Sequence, residues 1–161
     1  MSYCHEDFLE VERIFNHNFD KYKEIGSSLC VIVDGEIVID IWAGHKNKDR
    51  TEDWGEDTLS VAFSSTKAAL ALCAHILIER GKLDLKEKVT KYWPDYGKNG
   101  KEETTVEMIL NHSAGVPALK TKVKEGGFLD WDYMVNLLEN ETPFWVPGKE
   151  TGYHMMTTGW L

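Results

Sequence analysis

A serine three residues ahead of a lysine, Ser64-Ser65-Thr66-Lys67, is the pattern in this sequence with the clearest chemical use. A serine hydroxyl is a weak nucleophile until a neighbouring base takes its proton. On a helix, positions i and i+3 share a face one turn apart, so Lys67 reaches Ser64 from within the same element. A lysine at the head of an apolar helix is partly desolvated, which favours the neutral amine that acts as a base. Ser64 would also lie at the positive end of the helix dipole, where backbone N–H groups can hold the oxyanion of an acyl-transfer step. The same four residues also fit a plain helix start, with Ser64 as N-cap and Lys67 on the first turn, so the pattern takes its meaning from its surroundings.

Those surroundings must first supply the helix. Ser65 to Arg80 contains no Gly or Pro, and Gly81 follows in the position that closes a helix. Its apolar residues, from Ala68 through Ile78, surround the axis instead of forming one stripe, which predicts a central helix buried on most sides. Upstream, Phe8, Val11, Phe15 and Phe19 recur at helical spacing between Glu6 and Tyr22. Ser28 to Val33 and Glu36 to Trp42 are rich in Val and Ile and flank Asp34-Gly35, a strong type I′ hairpin signal. Downstream, Leu83, Leu85, Val89 and Trp93-Pro94 mark an irregular segment with docking side chains. Thr104 and Glu107 form a capping-box pattern ahead of a short helix. Asp130 is the candidate N-cap of a further helix from about Trp131 to Glu139, and the residues from Met155 onward look like the opening of another.

Composition narrows the functional class. The 161 residues are 42% apolar and carry a formal net charge of −9, enough apolar content for a core. Such an acidic surface repels nucleic acids and anionic membranes, so neither is an expected partner. No apolar run approaches the length of a bilayer span. The first residues show no basic region followed by an apolar run, and the expected location is cytoplasmic. Cys4, Cys30 and Cys73 have no disulfide or zinc spacing; Cys30 and Cys73 lie in apolar runs and read as core residues. His5, His17, His45 and His75 show no metal-ligand spacing.

Several segments together resemble one family. Phe63 to Ala68 followed by the apolar helix and then Glu79-Arg80-Gly81-Lys82-Leu83-Asp84-Leu85 looks like the active-site region of the β-lactamase-related serine hydrolases. These include class C β-lactamases, D-alanyl-D-alanine carboxypeptidases and esterases of the same fold. Ile109 to Pro117 resembles that family's stretch ending in a His-x-x-Gly turn, here His112 to Gly115, and Pro147-Gly148 ahead of Tyr153 resembles the approach to its second motif. The resemblance implies an α/β (α+β) fold of β-lactamase/transpeptidase type, with an antiparallel sheet flanked by helices and a helical region beside it. It implies Ser64 as acylated nucleophile, Lys67 as its base and Tyr153 as the group that passes a proton to the leaving group. A small-molecule ester or amide would be the substrate, with no metal or organic cofactor.

Two departures qualify this. The family's Tyr-x-Asn pattern is Tyr153-His154-Met155 here, and a Met side chain cannot hydrogen-bond a substrate amide, which argues against lactam hydrolysis more than against hydrolysis in general. The family's third motif, Lys-Thr-Gly or His-x-Gly on a late strand, has no counterpart after Tyr153. A lone hairpin is marginal, so residues 1–161 are expected to be the N-terminal portion of a single domain whose sheet is incomplete in this chain. The alternative function is a truncated, inactive form acting as a binding module. His112 stands at a predicted helix end, where it can satisfy a carbonyl or complement the dipole, and is read so in preference to a catalytic role. His154 adjoins Tyr153 and could tune it.

Overall fold

The computed structural model describes residues 2–161 and divides the chain into two compact units, one running through Val61 and the other from Ala62 to Leu161. In the first unit, strand β1 (Tyr3–Cys4) leads through a 3-10 turn at Glu6–Phe8 into helix α1 (Leu9–Lys21). Strands β2 (Gly26–Val33) and β3 (Glu36–Gly44) then form the expected hairpin. Asp34 and Gly35 have φ of +51° and +87°, the pair of positive values that a type I′ turn requires. The sheet is antiparallel in the order β1-β3-β2, with Leu29 opposite Ile41 and Val31 opposite Ile39. The period-2 pattern sends Ile39 and Ile41 onto Phe15 of α1, and Leu29 and Val31 pack beside them. Burying each of those side chains contributes about 1.5–3 kcal/mol. Cys30 falls on the opposite face and is exposed, so it is not the core residue its apolar run suggested.

The second unit is helical. Helix α2 (Thr66–Glu79) starts one residue later than expected, after a 3-10 turn at Phe63–Ser65. Gly81 donates to the Ile78 carbonyl and Lys82 to that of Leu77, the two bonds of a Schellman ending. The rest comprises 3-10 turns at Val89–Lys91 and Pro94–Tyr96, helix α3 (Val106–Leu110), helix α4 (Trp131–Asn140) and a single turn at Thr157–Gly159 where a longer helix was expected. Asp130 caps α4 as expected, accepting the Tyr133 N–H at 3.1 Å. For α3 the cap is Thr105, which accepts from Met108, and not Thr104. The Thr104 carbonyl takes the Val89 N–H at 2.9 Å, which holds the chain extended there and delays the helix by one residue.

The core of this unit gathers Val89, Tyr96, Ile109, Ala114 and Val116, while Met134 and Leu138 of α4 are fully buried. Lys101 is also fully buried; its ammonium donates to the carbonyls of Lys98, Glu139 and Glu141 and lies 5.3 Å from the centre of the Tyr96 ring. The expectation that α2 is buried on most sides does not hold. Only Ala74 is buried along it, whereas Leu70 is 41% and Leu72 62% exposed. An all-round apolar sequence states a need for cover but does not provide it. Leu70, Cys73, Ala74 and Leu77 of α2 line one side of an apolar groove of about 570 Å³ with Trp93, Ile109 and Trp160. Cys73 is therefore exposed as well, and all three thiols are free. Among the described residues no helix is long and apolar enough to cross a membrane.

Candidate active site

Ser64 occupies the 3-10 turn that enters α2, and Lys67 the first turn of the helix proper. The i, i+3 relation works as the spacing requires: Lys67 Nζ lies 3.5 Å from Ser64 Oγ. The same nitrogen donates to the main-chain oxygen of Met155 at 2.8 Å and stands 4.9 Å from the centre of the Tyr153 ring. Three side chains drawn from positions 64, 67 and 153 thus meet at one place. None of them lines the apolar groove beside α2.

The phenol of Tyr153 is held below its ordinary value near 10, first by a hydrogen bond with Ser64 and then by one with Lys67; desolvation opposes this, and the lysine's charge adds to the lowering. This is the direction a proton-passing tyrosine needs. The residue before Ser64 was not singled out in the sequence: Phe63 has φ of +44°. A bulky side chain in that region stores on the order of 1–3 kcal/mol of backbone strain, and such strain clusters at functional sites.

A profile of the Beta-lactamase family matches residues 11–161. The chain belongs to the beta-lactamase family. Esterase/beta-lactamase LipL of Mycobacterium tuberculosis is 34% identical over 154 residues, covering 96% of this chain and 35% of LipL. Among solved structures, a family VIII carboxylesterase superposes with a TM-score of 0.91 at 34% identity, over 99% of this chain and 43% of the other. A penicillin-binding protein homolog from Caulobacter crescentus does so with a TM-score of 0.93 at 32% identity, over 99% and 43%. The chain therefore spans about a third of the length of LipL.

Within this beta-lactamase-family frame, the substituted third position of Tyr153-His154-Met155 finds a use that does not depend on its side chain. Met155 contributes its carbonyl, which fixes Lys67 Nζ. The turn from His112 to Gly115 holds the tyrosine segment by a run of main-chain bonds. Gly152 donates to the His112 carbonyl at 3.0 Å, Gly148 to Ser113 at 2.9 Å and Phe144 to Gly115 at 2.7 Å. Gly115 has φ of +83°, and a Cβ there would meet the Trp145 oxygen at 2.5 Å, so the approach needs glycine. Thr157 Oγ1 adds a bond to the Val116 carbonyl at 2.7 Å.

The His112 N–H donates to the Ile109 carbonyl of α3 at 3.3 Å, and its ring has further partners. Its Nδ1 accepts the His154 N–H at 3.2 Å, and its ring meets Tyr153 edge-on at 4.9 Å. His154 is fully buried; Nε2 accepts the Val116 N–H at 3.0 Å, so Nδ1 carries the proton toward the Gly152 carbonyl at 2.6 Å. The sequence showed no sign of this pair, because the partners are some forty positions apart and no periodicity relates them.

Burial lowers the basicity of both rings; Lys67 adds to this at His112 and His112 at His154, while the Gly152 carbonyl opposes it at His154. The folded state thus favours the neutral imidazoles, whereas the unfolded chain takes up protons near 6.5. Their contribution to stability is complete above that value and is lost as the pH falls below it. Calorimetric melting between pH 7.5 and 5 should show a larger drop in Tm for wild type than for His154→Gln, whose amide oxygen can still accept the Val116 N–H. Equal drops would contradict the buried neutral ring.

Proposed function

We propose that this protein is a serine hydrolase that cleaves an ester or amide through an acyl-enzyme on Ser64. Lys67 acts as the base and takes the Ser64 proton as Oγ bonds to the substrate carbonyl carbon. A backbone N–H at the head of α2 would hold the oxyanion. As the tetrahedral species collapses, the bond to the leaving alcohol or amine breaks, and Tyr153 delivers the proton that group requires. Water then attacks the acyl-enzyme by the reverse sequence and releases the acid. The single observation that carries this reading is Lys67 Nζ at 3.5 Å from Ser64 Oγ with the Tyr153 phenol, lowered by both, beside them.

Ester is favoured over lactam. Met155 offers no side-chain hydrogen bond to a substrate amide, and a family VIII carboxylesterase and an esterase/beta-lactamase stand among the relatives at 34% identity. Residues 1–161 are read as the N-terminal portion of one domain.

The test is covalent labelling with a fluorophosphonate, read by peptide mass spectrometry. An adduct on Ser64 is expected, and an adduct placed elsewhere would sink the assignment. The second reading, a non-catalytic binding module, is favoured by the open apolar face of α2; a chain that folds yet takes no adduct at Ser64 selects it.

A further inference from the structure

We propose that His112 is a positioning residue for Tyr153, gripping the backbone on both sides of the phenol-bearing residue so that the ring stays over Lys67. The inference builds on the hydrolase reading for its effect on rate, but the grip itself is a matter of geometry. Gly152 and His154, the two neighbours of Tyr153, both hydrogen-bond to His112: the Gly152 N–H to its carbonyl at 3.0 Å and the His154 N–H to its Nδ1 at 3.2 Å. Its ring is a third contact, packed edge-on against Tyr153. His112 is itself held in the left-handed region with φ of +64°. His154 completes the clamp, because its Nε2 anchors the segment to Val116.

The grip has a protonation state. Nδ1 accepts only while it is bare, so the proton of neutral His112 resides on Nε2. A second proton would place an Nδ1–H against the His154 N–H and cut one of the bonds flanking Tyr153. The titratable and charged groups that face His112 are Lys67 of α2, Tyr153 and His154. Lys67 opposes the added charge, so the clamp holds through neutral pH and opens on the acid side.

Two substitutions separate positioning from bulk structure. His112→Asn keeps an acceptor, tolerates the left-handed backbone and cannot titrate. His112→Phe keeps an aromatic ring and removes the acceptor. The full chain carrying 13Cζ-tyrosine is followed by NMR against pH, with Tyr153 assigned from Tyr153→Phe, alongside the rate of fluorophosphonate labelling.

In wild type the Tyr153 signal is expected to shift on the acid side as His112 charges, and in His112→Asn that shift disappears. In His112→Phe the phenol titrates closer to its ordinary 10, and labelling slows by roughly 10²-fold, the cost of a displacement near 1 Å at a reacting group. An unchanged Tyr153 titration in His112→Phe, or an acid-side shift that persists in His112→Asn, overturns the proposal. Should His112→Phe not fold, the comparison of wild type with His112→Asn decides alone. If wild type takes no label at Ser64, the hydrolase reading falls while the tyrosine signal still decides the clamp.

Discussion

Replacing Lys67 by methionine is expected to slow acylation of Ser64 by about 10²–10⁴-fold, the range that a positioned base contributes. Methionine matches the lysine stem in length and leaves α2 its helix propensity, so the change removes the amine and little else. Three consequences follow from the one nitrogen. Ser64 loses the amine 3.5 Å away, the Met155 carbonyl loses its donor, and Tyr153 loses the positive charge that helps to lower its phenol. Because these act as a unit, Lys67→Met combined with Tyr153→Phe should cost little more than Lys67→Met alone. The measurement is the pseudo-first-order rate of fluorophosphonate labelling, with circular dichroism melts to show that the fold persists. A Lys67→Met chain labelled at the wild-type rate would mean that Ser64 reacts without the lysine, and the pairing would then be only a helix start.

What the sequence made legible follows the range of the interactions. Ser64 and Lys67 are three positions apart on one helix, so spacing alone predicts their meeting. The Asp34-Gly35 hairpin and the Asp130 cap are equally local, and both occur as expected. Tyr153 is 89 positions from Ser64, and only likeness to a family could place it there. The clamp of His112 and His154 was out of reach for the same reason: it depends on loops that meet through main-chain bonds, which leave no hydrophobic period. β1 is a two-residue strand whose pairing with Ile39 and Asp40 has no pattern of its own. The shift of a helix cap from Thr104 to Thr105 depends on a bridge to the chain around Lys88 and Val89, again a non-local cause. For α2 the error had another origin. Its sequence says that every side is apolar, but what covers each side is a property of the rest of the protein.

The largest effect on stability is expected at Lys101, where Lys101→Met should cost about 3–5 kcal/mol, the range seen when one partner of a buried charged contact is removed. The opposite outcome has a physical case. Methionine is close to lysine in volume and would lie well against Tyr96, and replacing all members of a buried polar group by apolar ones is often neutral or better. Here the acceptors decide. They are the main-chain carbonyls of Lys98, Glu139 and Glu141, and no side-chain substitution removes them. Each carbonyl left buried without a donor costs about 1–3 kcal/mol. Two of them belong to the end of α4, where the last carbonyls have no partner within the helix. The ammonium therefore does for α4 what a cap does elsewhere, while joining that end to the turn at Lys98. Burial makes Lys101 easier to deprotonate than an ordinary lysine, with Glu141 the first of the charges that oppose this, yet three carbonyls in donor reach are what an ammonium needs. For a chain of 161 residues, 3 kcal/mol corresponds to a fall in Tm of about 6–12 °C. Lys98→Met, at an exposed side chain paired with Asp95, should stay within about 0.5 kcal/mol of wild type and serves as the control. Guanidinium unfolding of the three proteins measures the differences; a Lys101→Met chain as stable as Lys98→Met would show that water reaches those carbonyls and that the lysine is not what secures the end of α4.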